Sequence, residues 1–131
     1  MRKLLFIILL GFIKTTNAQS IAFNLENVTD FKVGKTITIP YTYSIDQEAY
    51  VYCAINEYDA SNNWIRYVAT QDISNVKPDN DIQTKLYLKI PKNTVKSSDL
   101  KAKHRYVLQI EIKNQSDFTW RAGDSKPISL N

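Results

Sequence analysis

Asp81-Ile-Gln-Thr-Lys-Leu-Tyr-Leu-Lys-Ile-Pro91 decides the fold class. Ile82, Thr84, Leu86, Leu88 and Ile90 alternate with Gln83, Lys85, Tyr87 and Lys89. A period of two sends successive side chains to opposite faces, so the stretch reads as a strand with one buried and one wet face. Pro91 has no amide hydrogen to continue the ladder and ends it.

The same signature recurs outward from this stretch. Downstream, Tyr106, Leu108, Ile110 and Ile112 alternate with Val107, Gln109, Glu111 and Lys113, and Asn114 to Asp117 reads as a hairpin turn. Phe118 to Leu130 closes the domain, with an interruption expected near Gly123-Asp124. Lys92 to Lys103 is a polar connection with one helical turn near Ser97 to Leu100. Upstream, Ala49 to Tyr58 sets Val51, Cys53 and Ile55 against Tyr50, Tyr52 and Tyr58. Asp59-Ala60-Ser61-Asn62-Asn63 is a turn by composition, and Trp64 to Thr70 follows with Ile65, Tyr67 and Ala69 on one face. Gln71 to Asn80, with Pro78, reads as a polar loop.

Thr36 to Ser44 points Ile37, Ile39, Tyr41 and Tyr43 one way, with a bulge or an unpaired side expected at Pro40. Ile21, Phe23 and Leu25 share a face of a first strand, and Phe31 and Val33 lead into a turn at Gly34-Lys35. Seven or eight short strands without a helical period predict an all-β fold, an immunoglobulin-like antiparallel β-sandwich. A small closed barrel is the alternative.

The N-terminus reads differently. Met1-Arg2-Lys3, an apolar run from Leu4 to Ile13 and Thr16-Asn17-Ala18 have the order of a secretory signal. The run is shorter than the roughly 20 apolar residues a membrane span needs. Residues 1–18 are therefore expected to be a signal peptide cleaved after Ala18, leaving residues 19–131 as one domain with no membrane span. The expected location is secreted or at the cell surface, with the periplasm as a further possibility. No cysteine follows the cleavage point, which disfavours a lipid anchor.

Charge narrows the function classes. The signal holds Arg2, Lys3 and Lys14 and no acid, so residues 19–131 keep fourteen basic and thirteen acidic side chains. Interspersed charges near neutrality lack the clustered basic field that nucleic acid requires, and no nucleic-acid partner is expected. Cys53 is the only cysteine, which excludes an internal disulfide. It falls on the core-facing side of its strand, where a thiol is inert. His104, the only histidine, lies between Lys103 and Arg105 and reads as solvated. No nucleophile elbow or phosphate loop is present, so no catalytic residue is assigned and the protein is read as a non-enzyme. Asp79-Asn80-Asp81 and the Asp117/Asp124 hairpin offer hard oxygens suited to Ca²⁺, but neither matches a full calcium loop. No metal or cofactor is expected.

The aromatics are more informative. Tyr50 and Tyr52 face outward by alternation, and an immunoglobulin-like topology pairs their strand with Arg105–Lys113, whose outer face shows Gln109 and Glu111. Tyrosine beside an amide and a carboxylate suits a glycan- or protein-binding face. Trp64 and Trp120 fall at opposite ends of this sheet, roughly 23 Å apart for a seven-residue strand. Trp120, with Arg121 beside it, is the better single candidate. Two glycosylation sequons, Asn27-Val28-Thr29 and Asn114-Gln115-Ser116, complete the motifs.

Val28 to Ile39, the Tyr58-Asp-Ala-Ser-Asn-Asn-Trp64 turn, Leu86-Tyr-Leu-Lys-Ile-Pro91 and Tyr106 to Ile112 with the Phe118/Trp120 hairpin together resemble immunoglobulin- or fibronectin-III-like accessory modules. Such modules accompany secreted bacterial polysaccharide-degrading enzymes such as agarases. The resemblance implies a β-sandwich and a carbohydrate-related role. The expected function is a non-catalytic secreted module that binds extracellular polysaccharide through Tyr50, Tyr52, Gln109, Glu111, Trp120 and Arg121. The alternative is a protein-interaction or structural subunit, such as an adhesin component or an inhibitor, that meets another secreted or surface protein.

Overall fold

A computed structural model describes residues 19–28 and 30–131. The expected signal peptide and Thr29 lie outside the described residues. Seven strands follow one another: β1 (Ser20–Phe23), β2 (Thr36–Ile45), β3 (Ala49–Tyr58), β4 (Trp64–Val76), β5 (Asp79–Lys89), β6 (Arg105–Asn114) and β7 (Trp120–Ile128). A single 3₁₀ turn, Ser97–Asp99, interrupts the connection between β5 and β6. The strands form two antiparallel sheets, ordered β1-β2-β5 and β4-β3-β6-β7. The result is an all-β sandwich, as the alternating pattern predicts. Among the described residues no helix is long and apolar enough to cross a membrane.

The apolar halves of the alternating strands meet between the sheets. Ile37, Ile39 and Tyr41 of β2, with Leu86 and Leu88 of β5, face Val51, Cys53 and Ile55 of β3 and Tyr106, Leu108, Ile110 and Ile112 of β6. Tyr106 keeps its hydroxyl satisfied by donating to the Val95 carbonyl at 2.7 Å. Phe31 bridges Leu130 and closes one end of the core.

Polar side chains fix the turns. The Asp59 carboxylate accepts the Ser61 and Asn63 amides at 2.8 and 2.9 Å, while Asn62 takes a left-handed conformation. Asp117 accepts the Thr119 amide at 3.0 Å and holds the β6–β7 hairpin. Gly34, at φ +79°, occupies the turn before β2, where a β-carbon would be strained.

Three local expectations are corrected, and one, the unpaired side expected at Pro40, is met. Residues 71–76 continue β4 against β3 rather than forming a loop, and only Lys77-Pro78 separates β4 from β5. The stretch is polar because it is an edge strand of the second sheet. Gly123 pairs in register with Glu111 without an interruption, and the bulge in β7 falls instead at Arg121. Pro40 pairs with Lys85 in register. It sits just beyond the paired length of β1, its carbonyl accepting the Asn24 amide at 2.9 Å, so its missing hydrogen leaves no gap in the β2–β5 ladder. Ile65, Tyr67 and Ala69 do not share a face: Ala69 is buried in the core, whereas Ile65 and Tyr67 are exposed.

Candidate functional site

The outer face of β4-β3-β6-β7 holds an aromatic groove, and the alternation of β3 lays its floor. Tyr50, Tyr52, Ala54, Asn56 and Tyr58 point away from the core that Val51, Cys53 and Ile55 fill. Ala54 belongs to the outer row too, but its larger neighbours cover it completely. From β6, Gln109, Glu111 and Lys113 form the adjoining row.

The other wall arises from irregularity. Ile55 pairs with Ala69, but Asn56 pairs with Tyr67, and Tyr58 with Trp64. Val68 and Ile65 are the extra residues of two β-bulges. Each bulge resets which face the next side chain takes. Trp64 and Tyr67, three residues apart, therefore stand on the same outer face, which uninterrupted alternation forbids.

The ring geometry is ordered. Trp64 packs edge-on to Tyr67 at 4.8 Å between centroids, and Tyr67 packs edge-on to Tyr52 at 6.2 Å. Tyr50 meets Phe118 of the β6–β7 turn at 5.4 Å. The groove has a volume of about 600 Å³ and is open to solvent. Trp64 and Tyr67 remain half-exposed to solvent.

Hydrogen bonds brace the floor. Trp64 Nε1 donates to Asn56 Oδ1 at 3.1 Å, and the Asn56 amide donates to Gln109 Oε1. Tyr58 also donates to Gln109 Oε1, at 3.1 Å. Gln109 Nε2 is left as a donor without a partner among the described residues. Glu111 and Lys113 lie 3.8 Å apart, with the Lys113 ammonium over the Tyr52 ring. The hydrogen bond from Tyr50 to Asp72 pushes the Tyr50 phenol up to about 12. Burial, then the neighbouring Tyr67, pushes the Tyr52 phenol well above its ordinary range. Both phenols stay neutral across physiological pH.

Tyr50, Tyr52, Gln109 and Glu111, four of the six side chains singled out from the sequence, line this groove. Trp120 lines a shallower hollow beside it, with Gln109 and Glu111 forming the shared border. The indole lies close against β7: a β-carbon on Gly123 would sit 3.4 Å from Trp120 Nε1. Arg121, the bulged residue of β7, lines neither hollow. Reading the sequence alone missed Asn56, Tyr58, Tyr67, Lys113 and Phe118 as groove residues and took Trp64 for an isolated tryptophan. The bulges and the hairpin turn that bring these residues together carry no period-two signal.

One other expectation changes. His104 is not solvated: its Nδ1 lies 2.8 Å from the buried Glu57 carboxylate, which also accepts Arg66 Nε at 2.7 Å. Burial alone would raise Glu57, but these two hydrogen bonds hold it below the usual carboxylate range. Cys53 is fully buried, and desolvation pushes its thiol up to about 12. The hairpin acids are occupied in bonds to the chain itself, since Asp124 accepts the Phe23 amide at 3.0 Å across the sheets and Asp117 serves Thr119. Asn114 of the second sequon is buried and donates to Thr119, so it is inaccessible in the folded chain.

No family model matches the sequence, and no curated protein matches it. Among solved structures, the chain is similar to a stretch of a calcium-binding mutant of Bacteroides uniformis beta-glucuronidase 2, at 12% identity and a TM-score of 0.45. It is also similar to a stretch of Bacteroides uniformis beta-glucuronidase, at 9% identity and a TM-score of 0.43. The alignments span 86% of this chain in both cases, but only 14% and 13% of those two chains.

Proposed function

We propose that this protein is a non-enzymatic, exported binding module that holds a polysaccharide in the groove on the outer face of β4-β3-β6-β7. The observation that carries the reading is the run of Trp64, Tyr67 and Tyr52 rings beside Gln109 and Glu111. Sugar rings present patches of weakly polarised C–H groups that lie against the electron-rich face of an aromatic ring. Their hydroxyls need fixed donors and acceptors at the edge of that contact, which the free Gln109 amide and the Glu111 carboxylate supply.

Binding fits the groove better than hydrolysis does. Glycoside hydrolysis ordinarily takes a pair of carboxylates flanking the scissile bond. A single carboxylate, Glu111, is among the lining side chains, and Lys113 is its neighbour. The resemblance to accessory modules of polysaccharide-degrading enzymes points the same way, as does the export signal read at residues 1–18.

Electrophoresis of the purified protein through gels containing individual polysaccharides tests the proposal. Retardation by at least one polymer is expected, and Tyr67→Ala should abolish it without lowering the melting temperature. Migration unaffected by every polymer would refute the reading.

A further inference from the structure

Resting on that reading, we infer that the ligand is an interior stretch of an uncharged polysaccharide, laid diagonally across all four strands from Tyr67 to Trp120. Three features converge on this assignment.

The first is the shape. The groove is open to solvent, and the hollow under Trp120 adjoins it across Gln109 and Glu111. At that border the absent side chain of Gly123, opposite Glu111, lets the Trp120 indole lie low against the strand. A site that captures a chain end needs a blind end, whereas an open path admits a chain running through.

The second is the spacing of the platforms. Tyr67 lies on β4 level with Asn56, while Trp120 lies on β7 level with Lys113, which pairs with Tyr50. Three inter-strand spacings across the sheet and six residues along it place the two backbone positions roughly 24 Å apart. One sugar ring cannot touch both, but an extended chain can.

The third is the charge. Of the side chains lining the two hollows, Glu111, Lys113 and Asp124 are ionic, and Asp124 accepts the Phe23 and Ser125 amides. Glu111 and Lys113 neighbour each other, and Asp72 accepts from Tyr50. Arg105 stacks over Tyr58 and donates to the Asp59 carbonyl at 3.0 Å. A polyanion would meet no uncommitted cation there and would lie against Glu111, so a neutral polymer is the complementary occupant.

Titration calorimetry of the full protein with length ladders of neutral β-linked gluco-, xylo- and galacto-oligosaccharides tests the assignment, with polygalacturonate and alginate as anionic comparators. For at least one neutral ladder, affinity should climb with length until the oligomer reaches both platforms and then level off. Trp120→Ala should cost about tenfold for the long oligomer and leave the short one unchanged, and Tyr67→Ala should weaken both. Equal affinity for short and long members, or tighter binding of the anionic polymers, would overturn the inference while leaving glycan binding intact. Failure of every glycan to bind would instead remove the reading on which it rests.

Discussion

Glu57 and Cys53 show what the interior of this sandwich does to ionisable groups. Glu57 is buried and kept ionised by His104 and Arg66, with its pKa lowered in the folded protein. A depressed carboxylate contributes stability above its unfolded pKa, near 4.5, and loses that contribution as pH falls through the folded value. Thermal melts from about pH 7 to pH 3 should therefore show Glu57→Gln less stable than the parent at neutral pH, with the gap narrowing in acid. A gap independent of pH would contradict this account of the pair. Cys53, buried and shifted upward, should resist a thiol-specific reagent in the native protein and react fully once the chain is unfolded. Rapid native labelling would place it outside the core. The burial of Cys53 was legible in the sequence, because its neighbours Val51 and Ile55 share its parity. The Glu57–His104 contact was not, since 47 residues separate the two and neither follows an apolar pattern.

At the scale of elements, regular strands were legible and their irregularities were not. β3 and β6 keep strict alternation through the groove, so Tyr50, Tyr52, Gln109 and Glu111 could be assigned to one outer face from spacing alone. β4 departs from alternation at Val68 and Ile65 beside the groove, and once more between Ile73 and Val76, and a bulge has no compositional mark in this sequence. Deleting Val68 removes the extra residue and leaves Tyr67 opposite Asn56 on the outer face, the parity an unbulged strand gives it beside Ala69. Polysaccharide retardation should then persist. Loss of binding in a deletion variant that keeps its melting temperature would show that the bulge itself shapes the site. β7 offers a milder test through Gly123. A β-carbon there would come 3.1 Å from the Ile110 carbonyl and 3.4 Å from the Trp120 indole. Gly123→Ala should thus press β7 away from the Ile110 carbonyl beneath the indole and weaken the longest oligomers selectively, as measured by calorimetry.

The whole molecule rests on apolar packing between two sheets, without a disulfide. Leu108 is fully buried at the centre of β6, so Leu108→Ala should cost about 2–5 kcal/mol in chemical denaturation. The same sheet that carries Leu108 inward carries Gln109 and Glu111 outward, which ties the groove to the integrity of the core. The two-sheet architecture was readable from Ile82–Ile90 and its sister strands because burial imposes parity on every residue of a regular strand. The groove was only half readable, because its second wall depends on where parity breaks. The central claim is that the outer face of β4-β3-β6-β7 is the recognition surface. Amide chemical-shift mapping of the labelled protein, titrated with the polysaccharide that retards it, tests this most directly. Perturbations should cluster at residues 50–58, 64–70, 109–113 and 118–123; shifts confined to β1, β2 and β5 would contradict the account.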